Sequence, residues 1–258
     1  EEGRGIPTII AMVAATRLDC VLGSAAVQRR AVAEAIWWAS HRTAFGALLR
    51  DQPLMRNVLA DLAVEQEAAT WLGLRLAKAV DADEQALLRI VLPSAKYLVC
   101  KRTPTVVAEA LECLGGNGYV EDSGMPVLYR EAPLNSIWEG SGNVNALDVL
   151  RALRREPQTL DAFLTEVGAA RGADHRFDVA VKDLLTELAD LEGIELRARR
   201  LVERMALVLQ GSLLLRYAPP AVADAFCASR LGGDRGAAFG TLPAGLDLRA
   251  IVDRARVG

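Results

Sequence analysis

Residues 12–40, MVAATRLDCVLGSAAVQRRAVAEAIWWAS, decide how this chain folds. Leu18, Val21, Leu22 and Ala25, then Val32, Ala35, Ile36 and Ala39, recur at the i, i+3, i+4, i+7 spacing that gathers apolar side chains on one face of an α-helix. A first helix is therefore predicted over about 12–40. After a break from Gly46 to Pro53, Met55, Val58, Leu59 and Leu62, then Leu72, Leu76 and Val80, repeat the pattern, so a second long helix runs to about Val80. A third element from Asp83 to Leu114 carries Leu87, Leu88, Val91, Ala95, Leu98 and Val99, with Pro93 and Pro104 inside it. Proline lacks a backbone donor and crowds the preceding turn, so a kink or short break is expected there. Gly115 and Gly116 end that helix, because glycine accepts the left-handed conformation of a C-cap. Ser141 or Asn143 can cap a fourth helix to about Arg155.

Four long amphipathic helices with short connections bury one stripe each most economically as an antiparallel bundle, and no strand pairs are evident. The predicted class is all-α: a four-helix bundle over residues 1–156 and a helical extension over 157–258, divided at Pro157. In the extension, Phe177, Val181, Leu184, Leu185 and Leu188, then Leu201, Met205, Val208 and Ser212, give two more helical patterns. Residues 231–245, LGGDRGAAFGTLPAG, are too rich in glycine for a regular element and read as a loop before a last short helix.

With 258 residues and 52% hydrophobic content the chain can bury a sizeable core. Its apolar runs are broken by charge well before the roughly 18–20 residues a membrane span needs, and no basic-then-apolar leader opens it, so a soluble, cytoplasmic protein is expected. Cys20, Cys100, Cys113 and Cys227 show no CxxC spacing and read as buried free thiols. His41 and His175 are the only histidines, and neither has a ligand partner at helical spacing, which argues against a zinc enzyme or a histidine-dependent hydrolase.

Chemistry is expected in residues 112–151, ECLGGNGYVEDSGMPVLYREAPLNSIWEGSGNVNALDVLR. There one carboxylate, Glu139, stands in an uncharged stretch between Trp138 and Gly140. A carboxylate beside an aromatic that excludes water, with glycines that admit a ligand to the backbone, can accept a proton. A plainer reading makes Glu139 a helix N-terminal carboxylate that stabilises its own dipole.

LGGNGY followed about twenty residues later by IWEGSGN resembles the C-terminal domain of the flavin-dependent acyl-CoA dehydrogenases, and LYREAPLNSIWEGSGN with LDVLR resembles their AidB-like branch, which is associated with the response to DNA alkylation. HRTAFGALLRDQPL, residues 41–54, is similar to the family segment of the form RxxFGxxLxxxQ. The specific motifs cover roughly residues 1–155. The opening EEGRGIPTII resembles the family run that leaves a middle β-domain, which implies that residues 1–10 are the tail of that domain and that the chain is a C-terminal fragment.

The resemblance implies an FAD-dependent oxidoreductase of acyl-CoA thioesters. Glu139 would be the base that takes the α-proton as hydride leaves the β-carbon, with Trp138 in place of the usual tyrosine and Ser141 in place of threonine. Some branches carry the base on the first bundle helix before an arginine; here that pair is Thr16-Arg17, and threonine cannot serve as a base, so Arg17 is left as a residue near the substrate or an ordinary surface arginine. Arg42, Phe45 and Gln52 match contacts to flavin from a neighbouring subunit, and a guanidinium fork suits pyrophosphate. Gly115, Gly116 and Asn117 would approach the dinucleotide through exposed amides. Glu112 stands where many members carry glutamine, and Ser141 and Asn143 match polar positions that hold the flavin. Acyl-CoA, an electron-transfer flavoprotein or another acceptor, and a second copy of the chain in a dimer or tetramer are the implied partners.

A binding protein for double-stranded DNA is the alternative. Residues 151–258 have a charge balance of +1 against −4 for residues 1–150, and 15 of their 16 cations are arginine. Arg197, Arg200 and Arg204 fall on one helical face, and Arg151, Arg154 and Arg155 cluster elsewhere, a local phosphate-binding footprint. Ordinary pairing with Glu192, Glu195 and Glu203 explains the same residues. An isolated helical interaction module without cofactor is the third reading.

Overall fold

The structure is a computed structural model that describes residue 3 and residues 5–190 and 192–256. Four long helices form its centre: α1 (Gly5–His41), α2 (Pro53–Asp81), α3 (Gln85–Glu112) and α6 (Gly142–Arg155), with two short helices, α4 (Gly116–Tyr119) and α5 (Met125–Glu131), between α3 and α6. Contacts fix their directions. Ser24 meets Cys100 and Gln28 meets Thr103, so α1 and α3 run parallel. Arg102 meets Glu65, while Arg89 meets Glu156, so α2 and α6 both run against α3.

The bundle departs from the expectation in several places. Helix α1 starts at Gly5 rather than near residue 12; Ile6, Ile9 and Met12 in its first turns are exposed, so no apolar stripe through them marks the start in the sequence. Helix α3 continues without a break through Pro93 and Pro104. Each proline deprives one carbonyl of its donor at about 3 kcal/mol or more, but α3 packs against α1, α2, α6, α7 (Gln158–Gly168) and α9 (Ile194–Tyr217), and that burial offsets the loss. Strands are present after all, as a hairpin of β1 (Thr43–Ala44) and β2 (Ala47–Leu48), each too short to show alternation in sequence. Its loop residues Phe45 and Gly46 have φ +53° and +82°, the pair of positive values that a two-residue turn of the primed type requires.

Beyond residue 157 lie α7, α8 (His175–Ala189), α9, α10 (Pro220–Phe226), a π-helical turn Cys227–Leu231 and α11 (Leu248–Ala255). Asp174 caps α8 by accepting from the amides of Arg176 and Phe177. Two apolar clusters each draw on both halves of the chain: Leu76, Leu98 and Val149 pack with Phe163, Phe177 and Leu201, and Ile36, Leu62 and Val107 with Phe226, Leu242 and Ile251. Each such side chain stabilises by roughly 1.5–3 kcal/mol on burial. The glycine-rich segment after Leu231 is irregular, as its composition predicts, and is pinned to α2 by reciprocal bonds between Asn57 and Leu242 at 3.0 Å each. All four cysteines are buried and free. No helix among the described residues is long and apolar enough to cross a membrane.

Candidate active site

Between α5 and α6 the chain passes through a 3-10 turn, Leu134–Ser136, and then reverses at Glu139 and Gly140, whose φ angles are +55° and +100°. Every carbonyl from 138 to 141 is held by a side chain, those of 138–140 by residues of α1 or α3 and that of Ser141 by Asn145 one turn along α6. Lys96 Nζ donates to Trp138 O at 2.6 Å and to Gly140 O at 2.5 Å. Arg17 Nε donates to Glu139 O at 3.0 Å, and Asn145 Nδ2 to Gly140 O at 2.5 Å and Ser141 O at 3.0 Å. Asp148 orients Arg17 at 2.7 Å and also takes Arg89 at 3.2 Å. The φ of Gly140 favours glycine, and a Cβ there would sit 3.0 Å from Val144 Cγ1, a tight contact that the valine would have to relieve.

The Glu139 carboxylate itself makes no hydrogen bond or ion pair with the described residues and stays half-buried. The shield expected from Trp138 is not supplied: the indole is 52% exposed and donates to Asn135 Oδ1 at 2.9 Å, turned along the surface. Burial pushes the Lys96 ammonium below the usual lysine range. Beside this turn, α1, α3 and α6 bound a cleft of about 870 Å³ with Leu18, Leu92, Val144 and Leu147 on its walls and Arg17, Arg89 and Asp148 at its polar edge. Lys96 and Asn145 escaped the sequence reading. Lys96 looks like an interruption of an apolar stripe, and its partners lie more than forty residues away in sequence.

Arg42, Phe45 and Gln52 gather at the hairpin. Phe45 is 97% exposed at the tip, Arg42 is exposed with no side-chain partner among the described residues, and Gln52 Nε2 holds Ala44 O at 3.2 Å. The LGGNG turn lies at the same end of the parallel pair α1 and α3, with Glu112, Gly115, Gly116 and Asn117 exposed. Gly115 has φ +59° and ψ −141°, a conformation for glycine but not the αL C-cap expected, and Cys113 caps α3 instead. A Cβ added at Gly115 or Gly116 would meet nothing within 4 Å, whereas one at Gly118 would fall 2.1 Å from Leu111 O. Ser141 sits at the N-cap of α6, but neither it nor Asn143 caps through its side chain; Asn145 ties the helix start instead. From Arg17 to the end of α1 at His41 is about 36 Å at 1.5 Å per residue, so the hairpin and Glu139 are separate groups within one chain.

Most of the named arginines find partners other than those expected. Glu187 of α8 takes Arg204 at 2.8 Å, Arg200 at 3.8 Å and Arg197 at 3.9 Å, and Asp190 takes Arg197 at 3.0 Å. Of the three anticipated glutamates only Glu195 forms an ion pair with a named arginine, Arg154, at 3.3 Å. Arg151 meets Asp148 at 3.4 Å, and Arg155 is exposed at the end of α6. Helices α8 and α9 meet there, which sequence spacing along α9 alone does not reveal.

The helical bundle with its carbonyl-bound glutamate turn defines a class. A model of the acyl-CoA dehydrogenase C-terminal domain matches residues 3–154, and the chain belongs to that family. It is 44% identical to AidB of Escherichia coli strain K12 over 230 residues, 88% of this chain and 42% of that protein. It is 31% identical to acyl-CoA dehydrogenase family member 11 of Caenorhabditis elegans over 245 residues, 84% of this chain and 40% of that one. The solved structure of C. elegans ACDH-11 in complex with C11-CoA superimposes with a TM-score of 0.77 at 27% identity, covering 90% of this chain and 45% of the other. The chain thus spans about two fifths of the length of these curated relatives.

Proposed function

We propose that this chain is the helical part of an FAD-dependent acyl-CoA dehydrogenase in which Glu139 is the base that removes the α-proton of an acyl-CoA thioester. The observation that carries this reading is the contrast at one residue: the carbonyl of Glu139 and those on either side of it are all held by side chains, while its carboxylate has no hydrogen-bond or ion-pair partner among the described residues. A base needs a fixed origin and free acceptor oxygens. The cleft beside Arg17, apolar with a charged edge, suits an acyl chain with a polar head.

The residues at the hairpin end fit a flavin dinucleotide. A guanidinium at Arg42 without a side-chain partner among the described residues suits a pyrophosphate, an almost fully exposed Phe45 offers an aromatic face, and the open backbone at Gly115 and Gly116 admits close approach. When bound, flavin supplies the acceptor for the hydride from the β-carbon. Phe45 and Arg42 would orient the dinucleotide, and Glu139 Oε would hold the abstracted proton. The distance along α1 between hairpin and Glu139 supports a homo-oligomer in which one copy lends its hairpin to a site served by another copy's glutamate.

The test is anaerobic titration of the FAD-loaded protein that carries this chain with a series of acyl-CoA thioesters, read as loss of oxidised-flavin absorbance beside Glu139→Gln. Bleaching that the substitution slows by about 10²- to 10⁴-fold supports the base; equal bleaching in the variant removes it. A second reading, a flavoprotein that binds double-stranded DNA, is favoured by three arginines converging on the single carboxylate of Glu187. An absence of bleaching with every thioester would leave that reading in front.

A further inference from the structure

Lys96 is 1% exposed and among the largest fully buried side chains, yet no carboxylate among the described residues lies within ion-pair distance of its ammonium. Lysine is almost never buried unpaired, because removing an ammonium from water is expensive. Its neighbours on α3, Leu92, Ala95 and Val99, are core residues, so methionine or leucine would fill the site with a smaller desolvation penalty. The packing does not ask for a charge at this position. The Glu139 turn does.

A residue other than glycine in the left-handed region costs on the order of 1–2 kcal/mol and persists only where its surroundings impose it. Here they do so through charge-assisted bonds, which are shorter and stronger than neutral ones. Arg17 holds the carbonyl of Glu139 itself, and Asn145 holds the two that follow. Lys96 alone reaches the carbonyls on both sides of Glu139, at 2.6 and 2.5 Å. It fixes the peptide plane before Glu139 and the one after Gly140, while Arg17 holds the plane between them, and the set fixes the direction in which the Cα–Cβ bond of Glu139 leaves the backbone.

We infer that Lys96 is a positioning residue: its buried ammonium, bridging the carbonyls of Trp138 and Gly140, aims the Glu139 carboxylate at the substrate. The inference rests on Glu139 as the base for its catalytic consequence, but the bridge can be tested without turnover. Amide hydrogen exchange on the full chain is compared for the parent, Lys96→Met, Lys96→Arg and Ile90→Ala, the last a cavity on the same buried helix away from the turn. Lys96→Met is expected to speed exchange at residues 137–142 by at least about tenfold relative to the amides of α9, Lys96→Arg to restore part of the protection, and Ile90→Ala to leave the turn's ratio unchanged. In the FAD-loaded protein, Lys96→Met is expected to lower kcat by about 10- to 100-fold with KM little changed. Unchanged exchange at the turn in Lys96→Met, or equal loosening in Ile90→Ala, overturns the inference. Turnover retained by Glu139→Gln would instead sink the base assignment, while the exchange ratios still decide whether Lys96 holds the turn.

Discussion

Arg230 and Asp61 meet at 2.5 Å with 1% and 2% of their side chains exposed, a buried charged contact between the π-helical turn of the extension and α2. Glu65, one helical turn along, takes the same guanidinium at 2.9 Å and Arg102 of α3 at 2.8 Å. Removing one partner of such a network leaves the others charged and dry. Arg230→Met is therefore expected to lower unfolding free energy by about 3–5 kcal/mol, and Arg230→Met with Asp61→Leu by less than the sum of the single changes. Urea unfolding of the three variants checks this, and a loss under about 1 kcal/mol for Arg230→Met would show that the network does not fasten the extension.

The same network makes the fold acid-sensitive. Burial works to raise the Glu65 carboxyl, but the guanidinium groups of Arg102 and Arg230 outweigh it and hold the group at about 2, against an ordinary value of 4.5. The folded value is depressed, so the unfolded chain takes up the proton first as pH falls. The contribution is complete above 4.5 and disappears as pH drops toward 2. Urea midpoints are expected to fall between about pH 5 and about pH 3, with a shallower fall in Glu65→Gln. Parallel declines in both proteins would assign the acid sensitivity to other carboxylates.

Glycines of the LGGNG turn separate a role in folding from a role in binding. A Cβ at Gly118 meets Leu111 O at 2.1 Å, backbone that has no room to move. Gly118→Ala is thus expected to destabilise the chain by about 1–3 kcal/mol. At Gly116 a Cβ meets nothing, so Gly116→Ala is expected to leave the melting temperature near its parent value while weakening FAD retention in the loaded protein. Retention equal to the parent would mean that this backbone does not approach the cofactor.

Much of this fold is written in local periodicity. The stripes through Val21 and Ile36 or Leu72 and Leu76 announce long helices because one face of each is buried along its length. Where burial and periodicity part, the sequence falls silent: the start of α1 with its exposed Ile6, Ile9 and Met12, the two-residue strands around Phe45, and α3, whose prolines break the local rule while tertiary packing retains the helix. The site shows the same division. Glu139 and Gly140 stand out through their unusual neighbourhood, whereas Lys96 and Asn145 acquire meaning only once α3 and α6 bring them, with Arg17 of α1, to the same four carbonyls. Buried polar groups with distant partners leave no periodic trace.

The arginine face of α9 yields the remaining prediction. Arg197, Arg200 and Arg204 share Glu187, whose side chain is only 8% exposed, so one carboxylate both gathers three cations and cancels part of their charge. If phosphates use this face, Glu187→Gln removes a competing anion without removing a cation. Affinity for double-stranded DNA is then expected to rise, with log K against log salt steeper by about one phosphate contact, a slope change near −0.9. Arg200→Ala with Arg204→Ala is expected to lower the steepness by about two such contacts. Fluorescence anisotropy with a labelled duplex across a salt series reads both slopes. Neither will change if Glu187 and Asp190 simply solvate α9, and in that case the arginines are a structural seam between α8 and α9 and DNA has no claim on them.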